Sequence, residues 1–85
     1  MKKIFKYPLK PADQQTINMH TGEILKVDTQ RDTVCIWALV DPDAPTVERT
    51  FGVVGTGREC LYTKDQYLGT VKINGGELIF HVFEI

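Results

Sequence analysis

Apolar and polar residues alternate with a period of two along most of this chain. Side chains two positions apart in an extended strand point to the same face, so this period predicts β-strands. In the stretch Thr33–Pro45 both alternating sets are apolar, with Val34, Ile36, Ala38 and Val40 in one set and Cys35, Trp37 and Leu39 in the other. We therefore predict a central strand that needs cover on both faces, ended by the two prolines of Asp41-Pro42-Asp43-Ala44-Pro45.

Six further segments alternate in a similar way, and together they predict seven strands. The strands are expected at Lys3–Leu9, Gln14–Met19, Ile24–Gln30, Thr33–Val40, Val47–Val53, Tyr67–Ile73 and Glu77–Ile85. No segment shows a helical period, and short strands at regular spacing are typical of β-sandwiches and small barrels. The sequence thus predicts one all-β domain over residues 1–85, a small antiparallel sandwich or partly closed barrel of about seven short strands.

The residues between these segments predict which strands are neighbours. Asn74-Gly75 between two apolar runs is the strongest hairpin signal in the chain. The turn His20–Glu23 contains a glycine and predicts a second hairpin, formed by the second and third strands, with Leu25 and Val27 facing the core. Pro8 predicts that the first strand lies at a sheet edge, because proline has no N–H for a second neighbour.

The length of the chain limits how much apolar surface it can bury alone. A domain of 85 residues buries roughly two-thirds or less of the surface of its unfolded chain. The central and last strands are apolar on both faces, and so small a domain has little material with which to cover the second face. We therefore predict a homodimer or higher homo-oligomer, or an interface for a partner protein.

Composition excludes several classes of partner and location. The net charge of −1 provides no basic excess for phosphate, which makes nucleic acid an unlikely partner. No apolar stretch is long enough to span a membrane, and Met1-Lys2-Lys3 is not followed by the apolar segment of a signal peptide. The chain is therefore expected in the cytoplasm, where its two cysteines are expected to stay reduced.

No motif in the chain points to a specific chemistry, so we predict neither enzyme activity nor a cofactor or metal. His81 shares a face with Ile79 and Phe83, which favours a packed, hydrogen-bonded histidine over a general base. Asp41 and Asp43 bracket a proline and read better as a turn than as paired carboxylates. The run Gly55-Thr56-Gly57-Arg58 resembles an anion nest but lacks the lysine and the helix of a phosphate-binding loop.

Two loops are hard to explain by folding alone, and they predict a binding surface. They are Asp41–Thr46, stiffened by two prolines, and Thr56–Gln66, which is long and mixed in charge. Rigid loops and exposed Tyr or Arg residues are typical of interface hot spots. The predicted contact residues are Asp41, Asp43, Arg49, Arg58, Leu61 and Tyr62. An alternative is an oligomer that sequesters a nucleotide-like signal, with Arg49, Arg58, Trp37 or Tyr62 supplying charge and stacking.

Five motifs spread over the chain resemble a family of small uncharacterised proteins encoded by phages and prophages. They are Ile4-Phe5-Lys6-Tyr7-Pro8-Leu9, Trp37-Ala38-Leu39-Val40-Asp41-Pro42-Asp43-Ala44-Pro45, Gly55-Thr56-Gly57, Tyr67-Leu68-Gly69-Thr70 and Phe80-His81-Val82-Phe83-Glu84. The resemblance implies an accessory protein in the host cytoplasm that binds and blocks or redirects a host protein, such as a component of a defence system. The resemblance does not point to any particular enzymatic activity.

Overall fold

The computed structural model describes residues 1–85 and contains seven strands. The strands are β1 (Lys3–Leu9), β2 (Gln15–His20), β3 (Gly22–Gln30), β4 (Thr33–Val40), β5 (Thr46–Gly55), β6 (Tyr67–Ile73) and β7 (Leu78–Glu84). They form two antiparallel sheets that pack face to face and do not close into a barrel. The prediction of an all-β antiparallel sandwich is confirmed. The two helical segments, Lys64–Gln66 and Asn74–Gly76, are single 3-10 turns, so no helix could span a membrane.

The three-stranded sheet has the order β1-β4-β3, with β4 in the middle. β4 pairs with β1 from Lys3↔Val40 to Leu9↔Val34, and with β3 from Gly22↔Val40 to Gln30↔Thr33. This arrangement confirms that the doubly apolar stretch is a central strand. It also places Pro8 on an edge strand, as predicted.

The four-stranded sheet has the order β2-β5-β7-β6, and it shows that the predicted hairpin of the second and third strands is wrong. β2 pairs with β5, from Gln15↔Phe51 to His20↔Thr46, whereas β3 pairs with β4 in the other sheet. Only Thr21 separates β2 from β3, which is too short for a two-residue hairpin loop. The chain instead crosses between the sheets, where a Cβ on Gly22 would lie 2.0 Å from the Leu39 carbonyl oxygen.

A β-bulge in β3 reverses the predicted direction of Leu25. The pairing with β4 shifts between Ile24 and Lys26, so that Leu25 is an extra residue on the bulged strand. Ile24 and Val27 pack against the core, while Leu25 is 51% exposed on the opposite side of the sheet. Strict alternation would have placed Leu25 inside.

The β6–β7 hairpin predicted from Asn74-Gly75 is confirmed. Asn74, Gly75 and Gly76 have φ values of 56°, 67° and 92°, in the left-handed region that Asn and Gly tolerate best. The last paired residues are Ile73 and Leu78, so the loop holds residues 74–77 and is longer than a two-residue turn.

The core lies between the two sheets and is small. Only 14 of 85 residues are buried, and none of them is polar or charged. The central cluster consists of Leu9, Met19, Val34, Ile36, Ala38, Val40, Phe51, Val53, Val71 and Val82. Many large apolar side chains therefore remain at the surface, and their positions decide which surfaces can bind a partner.

Candidate functional site

The two loops predicted to form one binding surface lie at different positions along β5. The loop with Asp41 and Asp43 precedes β5, and the loop with Arg58, Leu61 and Tyr62 follows it. The second loop folds back as far as Gly52, so five strand residues, 47–51, still lie between it and the end of the first loop at Thr46, a distance of roughly 20 Å. The structure therefore separates Asp41 and Asp43 from Arg58, Leu61 and Tyr62.

Asp41 and Asp43 belong to a turn. The Asp41 carboxylate accepts the backbone N–H of Asp43 at 3.0 Å, and its carbonyl accepts the N–H of Ala44 at 3.1 Å. A hydrogen bond from a backbone N–H to the carboxylate two residues earlier defines an Asx turn. The structure therefore agrees with the interpretation of Asp41 and Asp43 as turn residues.

Arg49 is held inside the protein by an ion pair. Its Nε and Nη2 donate to the two oxygens of the Glu84 carboxylate at 2.6 and 2.7 Å, and its Nη1 donates to the Gly22 carbonyl at 2.8 Å. The Arg49 side chain is 19% exposed, and the hydrogen bond with Glu84 raises the pKa of its guanidinium above the usual value. Arg49 thus ties β5 and β7 of one sheet to the start of β3 in the other.

Tyr62 fixes the Thr56–Gln66 loop to the outer face of the four-stranded sheet. Its ring centroid lies 5.4 Å from that of Phe83, and its hydroxyl donates to the Asp13 carbonyl at 2.6 Å. A Cβ on Gly52 would come within 2.4 Å of the Tyr62 ring, so the glycine is what lets the ring lie this close to β5.

Arg58, Leu61 and Tyr62 line one cavity together with Asp13, Val54 and Glu59. Its volume is about 130 Å³, well below the roughly 300 to 1,000 Å³ of ligand pockets. Leu61 is nevertheless 79% exposed. The loop therefore presents one exposed apolar side chain, and its cavity is too small for a typical small-molecule ligand.

His81 lies in a string of hydroxyl groups on the outer face of the four-stranded sheet. Its Nδ1 is 2.9 Å from the Thr70 hydroxyl and its Nε2 is 2.7 Å from the Thr56 hydroxyl. Thr70 also contacts the Tyr67 hydroxyl. Both ring nitrogens are occupied by neutral partners and no carboxylate orients the ring, so the arrangement fits a structural histidine. The protein contains no group of three His, Cys, Asp or Glu residues placed to hold a metal ion.

The outer face of the three-stranded sheet carries an apolar patch that the chain leaves open. Ile4 pairs with Leu39 across β1 and β4, and Trp37 lies two residues before Leu39 on β4, on the same face. Ile4 is 59% and Leu25 51% exposed, while Trp37 and Leu39 are half-buried. We call these four residues the Trp37 face.

Charged side chains frame the Trp37 face. Lys6 and Lys26 flank Trp37 from β1 and β3, and the Lys26 ammonium lies 3.1 Å from the Asp28 carboxylate. The Asp28 carboxylate also accepts the N–H of Thr29 at 2.7 Å, and this bond, with help from Lys26, lowers the pKa of Asp28 below its usual value. An aromatic and aliphatic centre within a polar rim is the composition of a protein-binding surface.

A groove of about 460 Å³ runs along this face beside Trp37, and it is lined by Ile4, Leu25, Lys26, Asp28, Thr29, Gln30 and Trp37. From this set, the sequence predicted a ligand contact only for Trp37, and it predicted that Leu25 would face the core. The exposure of Ile4 could be predicted from the sequence, because alternation in the first strand directs Ile4 and Phe5 to opposite faces. The exposure of Leu25 could not be predicted, because it depends on the bulge.

Comparison with known protein families places the chain in an uncharacterised family. A domain of unknown function (DUF7352) matches residues 1–85, so the chain belongs to this family. No match was found among curated proteins or among solved structures. The prediction that the chain belongs to an uncharacterised family is confirmed, and the origin from phages or prophages stays a prediction.

Proposed function

We propose that this member of the DUF7352 family is a protein-binding module that acts by occupying a surface of another protein with its Trp37 face. The observation that carries the proposal is the exposure of Ile4 and Leu25, at 59% and 51%, beside Trp37 on a sheet face with no cover from the chain. Contiguous apolar surface with a polar rim marks interaction sites. The proposal requires no catalytic group.

The shape of the Trp37 face favours a protein as the partner. The face is one side of a three-stranded sheet, with side chains from β1, β3 and β4 side by side. A partner that buries Trp37, Ile4 and Leu25 gains roughly 25 cal/mol for each Å² of apolar area removed from water. Trp is also enriched among hot-spot residues, because it contributes a large rigid area at low entropic cost.

The resemblance to phage and prophage proteins supports a host protein in the cytoplasm as the partner, bound so as to block or redirect it. Asp41 lines a surface depression together with Leu39 of the Trp37 face, so Asp41 and its turn neighbour Asp43 can extend such an interface. Arg58 and Leu61 belong to the loop on the outer face of the other sheet, and Arg49 and Tyr62 are engaged within the fold. Leu61 is the competing anchor, because it is 79% exposed on the Thr56–Gln66 loop. Leu25 and Leu61 therefore provide a matched pair for a test.

The test compares lysine substitutions and crosslinkers at these two leucines. A photoreactive amino acid at position 25 captures the partner from host lysate, and mass spectrometry identifies it. With the purified partner, Leu25→Lys is expected to weaken binding at least tenfold, about 1.4 kcal/mol, because it places a charge in the apolar centre. Leu61→Lys is expected to leave the affinity within about twofold. Loss of binding with Leu61→Lys alone would assign the interface to the loop and contradict the proposal.

A second candidate is a ligand-sequestering protein, favoured by the groove beside Trp37. Its volume of about 460 Å³ falls in the range of small-molecule pockets, and Lys26 and Gln30 supply polar contacts. Native mass spectrometry of the purified protein discriminates the two functions. A co-purified small molecule that disappears with Trp37→Ala would support sequestration, whereas a binding module carries none.

A further inference from the structure

We propose that two copies of this chain pair through the free edge of β2, in antiparallel orientation, and so join their four-stranded sheets into one sheet of eight strands. β2 is an outer strand of its sheet and is bonded only to β5. The inference does not depend on the function of the Trp37 face.

Three of the four edge strands carry features that prevent pairing with another strand. β1 contains Lys3, Lys6 and Pro8, and proline lacks the N–H that a new neighbour would need. β3 is interrupted by the bulge at Leu25. β6 has a register shift between Tyr67 and Gly69. Bulges, prolines and lysines are the usual means by which proteins block sheet edges.

β2 has none of these features. Its six residues, Gln15-Thr16-Ile17-Asn18-Met19-His20, include no proline, glycine or acidic residue, and no lysine or arginine. Its register with β5 is unbroken from Gln15↔Phe51 to His20↔Thr46. The backbone groups that point away from β5 bond to no other segment of the chain. An edge of this kind is a template for a further strand.

A second copy fits this edge because the strand is complementary to itself. A two-fold axis perpendicular to the sheet runs the two β2 strands antiparallel and keeps the same faces together. With the two-fold axis at Asn18, Asn18 lies opposite the partner's Asn18, Ile17 lies opposite the partner's Met19, and Thr16 lies opposite the partner's His20. No like charges lie opposite each other. The same operation on β1 would bring lysines together.

Charges beyond the ends of β2 also complement each other in this arrangement. Lys10 lies beside the start of β2, where its backbone is bonded twice to the Gln15 side chain at 2.8 and 2.7 Å. Asp43 lies near the end of β2, where His20 is 3.1 Å from the carbonyl of Ala44. Antiparallel pairing brings the start of one β2 to the end of the other, and so brings Lys10 towards the partner's Asp43.

The area of the contact sets the expected affinity. Pairing of one six-residue edge buries less than the roughly 1,200 Å² of the smaller stable interfaces. We therefore expect dissociation constants in the micromolar range. The dimer leaves the Trp37 face of both copies open, since that face belongs to the other sheet.

The experiment measures the association of wild type and Asn18 variants by sedimentation velocity at micromolar to submillimolar concentrations. Asn18 is exposed and pairs with Glu48 of β5, so Asn18→Lys is expected to keep the wild-type melting temperature, and Asn18→Glu is expected to lower it slightly because two carboxylates then lie on paired residues. Each is expected to raise the dimer dissociation constant at least tenfold, because like charges then flank the two-fold axis. An equimolar mixture of the two is expected to recover a 1:1 heterodimer, and Asn18→Thr is the neutral control.

Three results would overturn the proposal. One is a wild-type protein that stays monomeric throughout the concentration range. Another is an Asn18→Lys variant that dimerises as well as Asn18→Thr. The third is a dimer that Leu25→Lys disrupts and Asn18→Lys does not, which would place the contact on the Trp37 face.

Discussion

The outer faces of the two sheets differ in how the chain treats them. On the four-stranded sheet, Val54 and Phe83 point outwards and are only 4% and 8% exposed, because the loop that carries Tyr62 folds back over them. On the three-stranded sheet, Ile4 and Leu25 point outwards and are 59% and 51% exposed. Both sheets thus carry apolar residues on their outer faces, but the chain covers only those of the four-stranded sheet.

The connections between strands explain this difference. The four-stranded sheet has a long connection from β5 to β6, residues 56–66, that reaches back across its face. The three-stranded sheet has only the two-residue turn Arg31-Asp32 between β3 and β4, with φ values of 51° and 59°. Both values fit the type I′ turn of a tight hairpin, which has no residues to spare for cover. The chain itself therefore leaves the Trp37 face uncovered.

Gly52→Ala should have the largest effect, because it breaks the covered face. The new Cβ would lie 2.4 Å from the Tyr62 ring and 2.7 Å from the Asp13 carbonyl oxygen, and that oxygen cannot easily move. We expect a loss of about 3 kcal/mol in the free energy of unfolding, measured by chemical denaturation. Gly55→Ala on the same strand is the control. Its Cβ would meet no atom closer than 3.5 Å, so it should cost less than about 1 kcal/mol. Equal stability of the two variants would show that the loop with Tyr62 does not pack closely against β5.

Tyr62 variants should have the next largest effect, and they separate packing from hydrogen bonding. Tyr62→Phe keeps the ring against Phe83 and loses the bond to Asp13, so it should cost about 1 kcal/mol. Tyr62→Ala loses both and should cost about 2 to 3 kcal/mol. Leu61→Ala, next in the chain but 79% exposed, should stay within about 0.5 kcal/mol of wild type. Thermal and denaturant unfolding measure all three, and a harmless Tyr62→Ala would contradict the structural role of Tyr62.

Local patterns were enough to predict the strands and the class of fold. Alternation of side chains locates all seven strands, and the two apolar faces of Thr33–Val40 identify the centre of a sheet. Asn74-Gly75 locates the last hairpin, and Pro8 an edge. Each of these signals acts within a few residues, so it can be interpreted without knowledge of the rest of the chain.

The parts that could not be predicted depend on distant partners. The turn at His20–Glu23 resembles a hairpin, but β2 finds its neighbour in β5, some 30 positions later. Arg49 looked available for binding, yet Glu84 holds it from 35 positions away. The exposure of Leu25 follows from a bulge, which alternation does not reveal. The candidate site is therefore less predictable than the fold, because its exposed residues are defined by what the rest of the chain leaves uncovered.

Asp28 should show the smallest effect, and it probes the charged rim of the open face. Hydrogen bonds from Thr29 and Lys26 lower the pKa of Asp28 below its usual value of 3.8. A group with a lowered pKa in the folded state stabilises the protein above its unfolded pKa, and this contribution is lost as the pH falls through the folded value. Wild type should therefore lose slightly more stability than Asp28→Asn between pH 5 and pH 3, with the two curves nearly parallel above pH 5.

The effect should be small because solvent screens the carboxylate, which is 49% exposed in its pair with Lys26. Melting temperatures of wild type and Asp28→Asn across this pH range measure it, and Lys26→Gln should give an intermediate profile because the Thr29 bond remains. High salt should reduce the difference between the profiles, since exposed ion pairs are screened. A difference that is large and unaffected by salt would mean that Asp28 is shielded from water, and that the Trp37 face is already covered in solution.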